Sequence, residues 1–350
     1  MNECSFINRT SVISFIKLIY GNTHMKALVA KNLGSAHFLE TEERSVPDVN
    51  PGYSLVRMYA ATVNPLSSLV LTGRVPAARA PLVLSNDGAG IIEQSSRFSA
   101  GTKVAIYGGG QLGITEDGLQ QQWVAVEDKR LIEVPADYSL EYAAALPINY
   151  ITAYQAMTRV GMVKKGQVVV IAGATGSVGH ALIQIANALG AVPVAVVSST
   201  VKAMHAKQAG ARHVIDLSEH DLADAVRGLT QDKGADLAFD PVGGEVLGQL
   251  IRALRPRGTA VSIGFVAGTE GKIDIPDLVV EEKRLLGYDA WMETDEDVEA
   301  AVEALKKFIA SGHVRPNIDS IYALDDFSAA YSRLGSRTAK GTILLKLNDD

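Results

Sequence analysis

The chain of 350 residues lacks several residue types and patterns on which whole classes of protein depend. Its single cysteine, Cys4, excludes an internal disulfide and favours a reducing compartment, which we expect to be the cytoplasm. A net charge of −6 and the absence of a basic cluster argue against nucleic-acid binding. None of the seven histidines is followed by glutamate, and one cysteine cannot build a four-cysteine zinc lobe, so no metal site is expected.

Long apolar segments are also missing, which argues against a membrane protein. The mildly apolar segment 12–20 is interrupted by Lys17 and is too short to span a bilayer. It lacks the small-residue cleavage site of a signal peptide. From Met25 the sequence alternates like the start of a strand. We therefore expect residues 1–24 to be a dispensable or misassigned extension, with Met25 as the native start; a targeting peptide is the alternative.

The first half of the chain has the pattern of a β-rich unit. A composition of 47% hydrophobic and 21% charged residues is typical of a soluble globular protein, and the length indicates two domains. Up to about residue 137, short apolar segments alternate with proline, glycine and polar residues, which predicts a compact all-β or barrel-like unit. Its predicted strands are 54–63, 88–93, 103–107 and 122–126, and a helical segment, 140–160, follows.

After Gly166 the chain alternates between apolar strands and amphipathic helices. The predicted strands are 168–172, 192–197, 213–215, 237–240, 259–264 and 284–288. The predicted helices are 178–189, 201–209, 222–229, 246–254 and 295–310. This alternation predicts an α/β fold with a doubly wound parallel sheet of about six strands, covered by helices on both faces. A last helix, 325–334, and a last strand, 342–347, complete the chain.

The most informative segment is 168–190, VVVIAGATGSVGHALIQIANALG. An apolar strand is followed by Gly173, Gly176 and Gly179 at three-residue spacing and then by a helix. Glycines in such a turn let the backbone approach a pyrophosphate, and the helix N-terminus favours an anion. We therefore predict that a dinucleotide contacts every residue of this turn, namely Gly173, Ala174, Thr175, Gly176, Ser177, Val178 and Gly179. An ordinary structural turn is the alternative.

Several separated motifs together identify a family. They are Val63-Asn64-Pro65, Asp87-Gly88-Ala89-Gly90, Ala143-Ala144-Ala145-Leu146-Pro147 with Thr152-Ala153-Tyr154, the glycine turn, Asp240-Pro241-Val242-Gly243-Gly244, and Ile263-Gly264. In this order they resemble the medium-chain dehydrogenase/reductase superfamily, and within it the zinc-independent, zeta-crystallin-like quinone oxidoreductases. Short-chain reductases do not fit, because the glycine turn lies mid-chain and no tyrosine has lysine four positions later.

The resemblance implies two domains with a cofactor in the cleft between them. Residues 25–147, completed by 315–350, would form a GroES-like catalytic domain, and residues 148–314 a Rossmann domain that binds NADP(H). The resemblance also implies a homodimer.

The choice of nicotinamide cofactor depends on the turn after the second strand of the Rossmann domain. NAD-binding proteins carry an acidic residue there for the ribose 2′-hydroxyl. This chain has Ser198, Ser199 and Thr200, followed by Lys202. Hydroxyl donors and a lysine suit a 2′-phosphate, so we predict NADP(H). The alternative is that Ser198 and Thr200 cap the next helix while Lys202 is solvated. At the ends of later strands, Val242, Gly264 and Phe265 are predicted to line the nicotinamide half.

Without zinc, the feasible hydride acceptors are already electron-poor, namely quinones and α,β-unsaturated carbonyl compounds. Where zinc enzymes of the superfamily carry Gly-His-Glu, this chain has Ser85-Asn86-Asp87. The protein would have to orient the acceptor and stabilise an oxyanion. We predict Asn64 as the main donor and Thr152 as the second, although either could be a purely structural residue.

Proton delivery is less defined by the sequence. Many relatives have an acidic residue where this chain has Ser67, and some have a tyrosine near Leu69. Tyr107 and Tyr150 lie in segments that could face the cleft, and the glycine-rich tract 108–113 is interpreted as a loop at the cleft entrance. The leading hypothesis is an NADPH-dependent quinone or enone reductase; a non-catalytic NADPH-binding protein and a metal-dependent alcohol dehydrogenase are the alternatives.

Overall fold

A computed structural model describes residues 24–348 of the chain. The proposed extension therefore lies outside the described residues, except for His24, which is the first residue of strand β1. No helix within the described part of the chain is long and apolar enough to cross a membrane. The cytoplasmic location remains a prediction.

The β-rich part of the chain forms two sheets. Its strands before the first long helical segment are β1 (His24–Asn32), β2 (Phe38–Ser45), β3 (Tyr53–Val63), β4 (Leu82–Val83), β5 (Asp87–Gln94), β6 (Lys103–Tyr107), β7 (Trp123–Glu127) and β8 (Leu131–Glu133). Two further strands, β15 (Ile318–Ala323) and β16 (Thr342–Lys346), return from the end of the chain. The sheets have the orders β2-β1-β4 and β15-β16-β3-β5-β6-β8, and β7 pairs with β3.

The second half of the chain forms a sheet of six parallel strands. These strands are β9 (Val168–Ile171), β10 (Val192–Val197), β11 (His213–Asp216), β12 (Ala235–Asp240), β13 (Leu254–Ser262) and β14 (Arg284–Gly287). Their order is β11-β10-β9-β12-β13-β14. The chain thus winds outward from β9 in one direction and then, from β12, in the other. The predicted doubly wound fold is confirmed, and its switch point between β9 and β12 is where such sheets bind ligands.

Helices cover this sheet and join it to the β-rich part. They are α1 (Pro65–Leu71), α2 (Leu140–Ala145), α3 (Pro147–Gln155), α4 (Ser177–Ala188), α5 (Thr200–Gln208), α6 (Leu222–Leu229), α7 (Glu245–Arg252), α8 (Ile275–Val280), α9 (Asp295–Ala310) and α10 (Phe327–Gly335). The predicted helix 140–160 is divided at Pro147, which occupies the first turn of α3, and it ends in a π-helical turn at Ala156–Val160. Proline fits that position because no intrahelical N–H is needed there.

One hydrophobic core runs through both parts of the molecule. Tyr59 and Ala105 of the β-rich sheet, Ile151 of α3 and Leu182 of α4 belong to the same buried cluster. A second cluster, which includes Val170 of β9, fills the other face of the parallel sheet. The two domains therefore share packed apolar surface at one side, and the cleft considered below lies at the carboxyl ends of β9 and β12.

Candidate functional site

The glycine turn is shaped by two close backbone approaches. Gly173 has a φ of +57°, and a Cβ there would lie 2.6 Å from Cγ2 of Val242. A Cβ on Gly179 would overlap the carbonyl oxygen of Gly173. Gly176, the N-cap residue of α4, has no side chain that could cap the amides of Ser177, Val178 and Gly179. This is a cradle for an anion at the start of a twelve-residue helix.

The loops after β12 and β13 meet this turn. Val242 packs against Gly173, as described, and the N–H of Gly264 donates to the carbonyl oxygen of Asp240 at 3.2 Å. Phe265 is 53% exposed beside them. The structure therefore brings Gly173, Val242, Gly264 and Phe265 to the same edge of the sheet. The two residues within the turn that we predicted as ligands, Ala174 and Thr175, are buried, so they would contact a cofactor through the backbone.

Asp240 organises the β12 loop. Its Oδ1 accepts hydrogen bonds from the N–H groups of Val242 and Gly243, each at 2.9 Å. Within residues 24–348 its Oδ2 has no hydrogen-bond partner, although the side chain is buried. Burial raises the pKa of this carboxyl, and the two N–H groups oppose that shift. Asp240 thus fixes the loop that touches the glycine turn.

The turn after β10 is arranged differently from a simple helix cap. Ser199 is the N-cap residue of α5, but its side chain makes no capping hydrogen bond. Lys202 donates to Oγ of Ser198, with 3.1 Å between the two atoms. Thr200 donates to Oδ2 of Asp216, at 2.9 Å. Neither Ser198 nor Thr200 caps the helix. Their hydroxyl groups have different partners, a lysine for Ser198 and a carboxylate for Thr200.

Asp216 is a carboxylate that the sequence analysis missed. It ends β11, the strand beside β10, and it accepts hydrogen bonds from the backbone N–H and the hydroxyl of Ser218, which lower its pKa. Asp216 could not be recognised from the sequence because it lies well beyond the residues that directly follow β10. A negative charge therefore lies beside Thr200, whereas Ser198 is bound to a cation.

Asn64 is the N-cap residue of α1. Its Oδ1 accepts hydrogen bonds from the N–H and the hydroxyl of Ser67, at 2.9 and 3.1 Å. Its Nδ2 lies 3.0 Å from Oδ1 of Asn86 and 3.2 Å from Oδ1 of Asp87. The amide is thus engaged on both sides. Ser67 is buried and holds Asn64 through both of these hydrogen bonds.

Asp87 is the titratable group at the centre of this cluster. It is buried, receives a hydrogen bond from Thr62 and another from Asn64, and is approached by the backbone N–H of Ile148 at the start of α3. Burial raises its pKa to about 7, against the opposing effect of these donors. A buried carboxyl group with so strongly raised a pKa is a functional-site candidate.

A second hydrogen-bonded chain joins the two domains. The hydroxyl of Tyr107, at the end of β6, donates to Oε2 of Glu293 at 2.6 Å, and that of Tyr288 donates to Oε1 at 2.5 Å. The side chain of Thr152 in α3 lies close enough to Tyr288 to oppose the rise that burial causes in the pKa of that phenol. Burial raises the pKa of Glu293, while the two phenols oppose the rise. Thr152 therefore belongs to a polar group that includes a carboxylate and two tyrosines.

The glycine-rich tract 108–113 is covered by the same Rossmann segment. A Cβ on Gly110 would overlap the indole ring of Trp291. Trp291 is two residues before Glu293, so one segment of the Rossmann domain contacts both Tyr107 and the tract that follows it. Tyr150, by contrast, is fully buried and donates to Gln184 of α4 at 2.8 Å. Of the two tyrosines considered, only Tyr107 takes part in this network.

The donor set around Asp87 does not fit a zinc ion. The side chains around Asp87 are the amides of Asn64 and Asn86 and the hydroxyl of Thr62, whereas zinc takes thiolates, imidazoles and carboxylates. Within residues 24–348, no group of three or more His, Cys, Asp or Glu side chains is placed to hold a metal.

Comparison with known protein families gives one match in the β-rich part of the chain and one in the part that forms the parallel sheet. Residues 50–136 match the alcohol dehydrogenase GroES-like domain, and residues 177–307 match the zinc-binding dehydrogenase family. The two matched ranges correspond to the β-rich domain and to the parallel sheet described above.

Individual relatives are similar over almost the whole chain. A 2-haloacrylate reductase from a Burkholderia species is 28% identical, covering 92% of this chain and 98% of its own. A quinone oxidoreductase from Pseudomonas aeruginosa is 29% identical, with coverages of 89% and 96%. Among solved structures, an NAD-dependent alcohol dehydrogenase superposes with a TM-score of 0.85 at 27% identity, covering 93% of this chain and all of that one.

Proposed function

Because the chain belongs to the medium-chain dehydrogenase/reductase superfamily, in its quinone oxidoreductase branch, we propose that it is a zinc-independent NADPH-dependent reductase of quinones or α,β-unsaturated carbonyl compounds. It is an oxidoreductase of a fold that binds a nicotinamide cofactor.

Two features carry the proposal: an anion cradle on the parallel sheet, and polar groups at the contact between the two domains. The glycine turn, Val242 and Gly264 form an anion cradle at the carboxyl edge of β9, β12 and β13. Two polar groups, one around Asp87 and one around Glu293, lie at the boundary between the domains. A bound nicotinamide cofactor would supply a hydride. The amides of Ser177, Val178 and Gly179 would hold the pyrophosphate of that cofactor.

The side chains at the cleft suit an acceptor that needs no Lewis acid. Hydride addition to a quinone or to a conjugated alkene leaves a delocalised oxyanion, which hydroxyl and amide donors can stabilise. The hydroxyl of Thr152 lies beside Tyr288, which itself donates to Glu293, and it can rotate towards a bound acceptor. The amide of Asn64 is held at both ends by Ser67 and Asp87. We therefore assign Thr152 the oxyanion-binding role and Asn64 the role of holding the Asp87 cluster.

The names of two relatives support both acceptor classes. A quinone oxidoreductase and a 2-haloacrylate reductase are similarly distant from this chain. The substrate of the second is an alkene conjugated to a carboxyl group, so carbon–carbon double-bond reduction is compatible with this scaffold. Preference for NADPH rests on Ser198 and Lys202, since Thr200 is bound to Asp216.

The proposal is tested by following loss of NADPH absorbance in a stopped-flow instrument. Acceptors should include 1,4-benzoquinone, a 2-alkenal, a 2-haloacrylate and a simple aldehyde. We expect turnover with the first three classes and little with the aldehyde, before and after dialysis against a chelator. Stoichiometric zinc with loss of activity on chelation would instead identify a metal-dependent alcohol dehydrogenase. Tight NADPH binding with no turnover of any acceptor would identify a binding protein.

A further inference from the structure

Lys340 reaches from the catalytic domain to the Rossmann domain. It lies two residues before β16, yet its Nζ is 3.2 Å from Nε2 of His205 on α5. Its backbone is fixed on both sides, because its N–H donates to Asp319 at 2.7 Å and its carbonyl oxygen accepts from Asn317 at 2.5 Å. The ammonium group is therefore held in place by an ordered segment.

The carboxylate of Asp319 is paired with Arg333 and not with the ammonium group of Lys340. Arg333 forms an ion pair with Asp319, with 2.7 Å between Nη2 and Oδ1, and donates to Oδ2 as well. Hydrogen bonding by Arg333 lowers the pKa of Asp319 to about 2. Lys340 contributes only its backbone to this arrangement. Its ammonium group donates to the imidazole of His205.

A second lysine lies on the same helix as His205. Lys202 and His205 are three residues apart on α5, so they share one face of the helix. Lys202 donates to Ser198, which directly follows the last residue of β10. Within residues 24–348, no carboxylate forms an ion pair with Lys202 or Lys340. Two ammonium groups from two domains thus lie near one helix turn, and neither is ion-paired within the described residues.

The segment that carries Lys340 also contacts the anion cradle. Thr342 donates to Oγ of Ser177, the first residue of α4, at 3.0 Å. Asn149 of α3 in turn donates to Thr342 at 3.3 Å. The segment 340–342 therefore extends from the start of α4, beside the pyrophosphate cradle, to α5, beside the turn that would hold the adenosine ribose. The negative pair Asp216 and Glu219 lies on the Thr200 side of that turn.

We propose that Lys340 determines cofactor specificity, because its ammonium group joins Ser198 and Lys202 in binding the 2′-phosphate of NADPH across the domain boundary. This rests on the NADPH preference proposed above. A dianionic phosphate supplies the charge that both ammonium groups lack, and each charge-assisted hydrogen bond to it adds affinity that a 2′-hydroxyl cannot. The catalytic domain thereby contributes directly to discrimination between NADPH and NADH.

The test compares Lys340→Met with Lys207→Met, which removes the same charge from an exposed position on α5. Dissociation constants are measured for NADPH, NADH, 2′,5′-ADP and 5′-AMP. We expect Lys340→Met to weaken the binding of NADPH and 2′,5′-ADP at least about tenfold. The dissociation constants of NADH and 5′-AMP should change less than about twofold. Lys207→Met should leave all four within about twofold, and Lys340→Arg should retain most of the preference.

The outcomes separate the two proposals. If the wild-type protein binds NADPH and NADH equally, the NADPH preference is wrong and the role of Lys340 falls with it. If the wild type prefers NADPH and Lys340→Met keeps that preference, only the role of Lys340 is overturned. Equal weakening of all four ligands by Lys340→Met would also overturn it, because that result indicates a structural role.

Discussion

The hydroxyl of Tyr107 donates a hydrogen bond to Oε2 of Glu293 across the boundary between the two domains, with 2.6 Å between the oxygens. The other oxygen of the same carboxylate is held by Tyr288 of the Rossmann domain. Glu293 therefore links the end of β6 to the segment after β14. Because Thr152 lies beside Tyr288, we expect the position of the proposed oxyanion donor to depend on this link.

Replacing Tyr107 by phenylalanine should remove the hydrogen bond to Glu293 while the aromatic ring stays packed in the core. A hydrogen bond to a charged group contributes about 1.5–3 kcal/mol, so we expect the kcat/KM for the acceptor to fall by tenfold or more. NADPH affinity should change less than about twofold, because the glycine turn is a separate structure. Tyr53→Phe is the matched control, since Tyr53 pairs with Glu127 at 3.3 Å within the β-rich domain. Equal kinetics of the two variants would contradict the assignment.

Much of the fold could be predicted because its signals are local. The strands 103–107 and 192–197 and the helices 222–229 and 295–310 have the same bounds in the structure. Helix α1 was missed, although Asn64 before Pro65 is a recognisable helix start. Strand β15 was missed because it is a partly exposed edge strand without clear alternation.

The site was harder to predict because its contacts join distant parts of the chain. Tyr107 and Glu293 are 186 residues apart, and no periodicity relates them. Asp216 comes close to Thr200 only because β10 and β11 are adjacent parallel strands. The glycine turn was accessible to sequence analysis since strand, glycines and helix are contiguous there.

Thr152 is expected to act on the reacting acceptor and not on the cofactor. Thr152→Val removes the hydroxyl with little change in volume, so kcat should fall about tenfold while the NADPH dissociation constant stays within about twofold. Thr158→Val is the control, because Thr158 follows on the same helical segment and donates to the backbone of Tyr154. An unchanged kcat for Thr152→Val would show that Thr152 only packs α3.

Asp87 should make stability depend on pH. Its pKa is raised from 3.8 to about 7, so between pH 4 and 7 the folded protein binds more protons at this site than the unfolded chain does. The stabilising contribution of Asp87 to the free energy of unfolding is therefore fully present below about pH 4. It decreases as pH rises to 7 and is constant above that. Asp87→Asn cannot ionise, so its stability relative to wild type should increase between pH 5 and pH 8, by an amount on the order of 1–3 kcal/mol.

Chemical denaturation at several pH values measures this difference. Asp319→Asn is an informative control because Arg333 lowers the pKa of Asp319 to about 2. The contribution of Asp319 to stability is present above about pH 4 and lost at lower pH. The difference in free energy of unfolding between Asp319→Asn and wild type should therefore not change between pH 5 and 8. A flat difference for Asp87→Asn over the same range would show that Asp87 is ionised throughout.

The two glycines at the start of α4 should respond differently to alanine. A Cβ on Gly179 would overlap the carbonyl oxygen of Gly173, whereas one on Gly176 would lie 3.4 Å from that atom, an ordinary contact. Gly179→Ala should therefore destabilise the fold by about 1–3 kcal/mol and weaken NADPH binding by more than tenfold. Gly176→Ala should change the free energy of unfolding by less than about 1 kcal/mol. Equal destabilisation would contradict this geometry of the turn.

The homodimer implied by the family resemblance remains a proposal, and β14 is the surface that could form it. This strand pairs with β13 on one side, and its residues Leu285 and Leu286 are 38% and 37% exposed. An exposed apolar edge favours pairing with a second copy about a twofold axis. Leu286→Lys should then convert a dimer to a monomer in light scattering after gel filtration. Ile321→Lys, on edge strand β15, should remain dimeric. A monomeric wild-type protein at micromolar concentration would contradict the proposal, and so would a Leu286→Lys variant that stays dimeric.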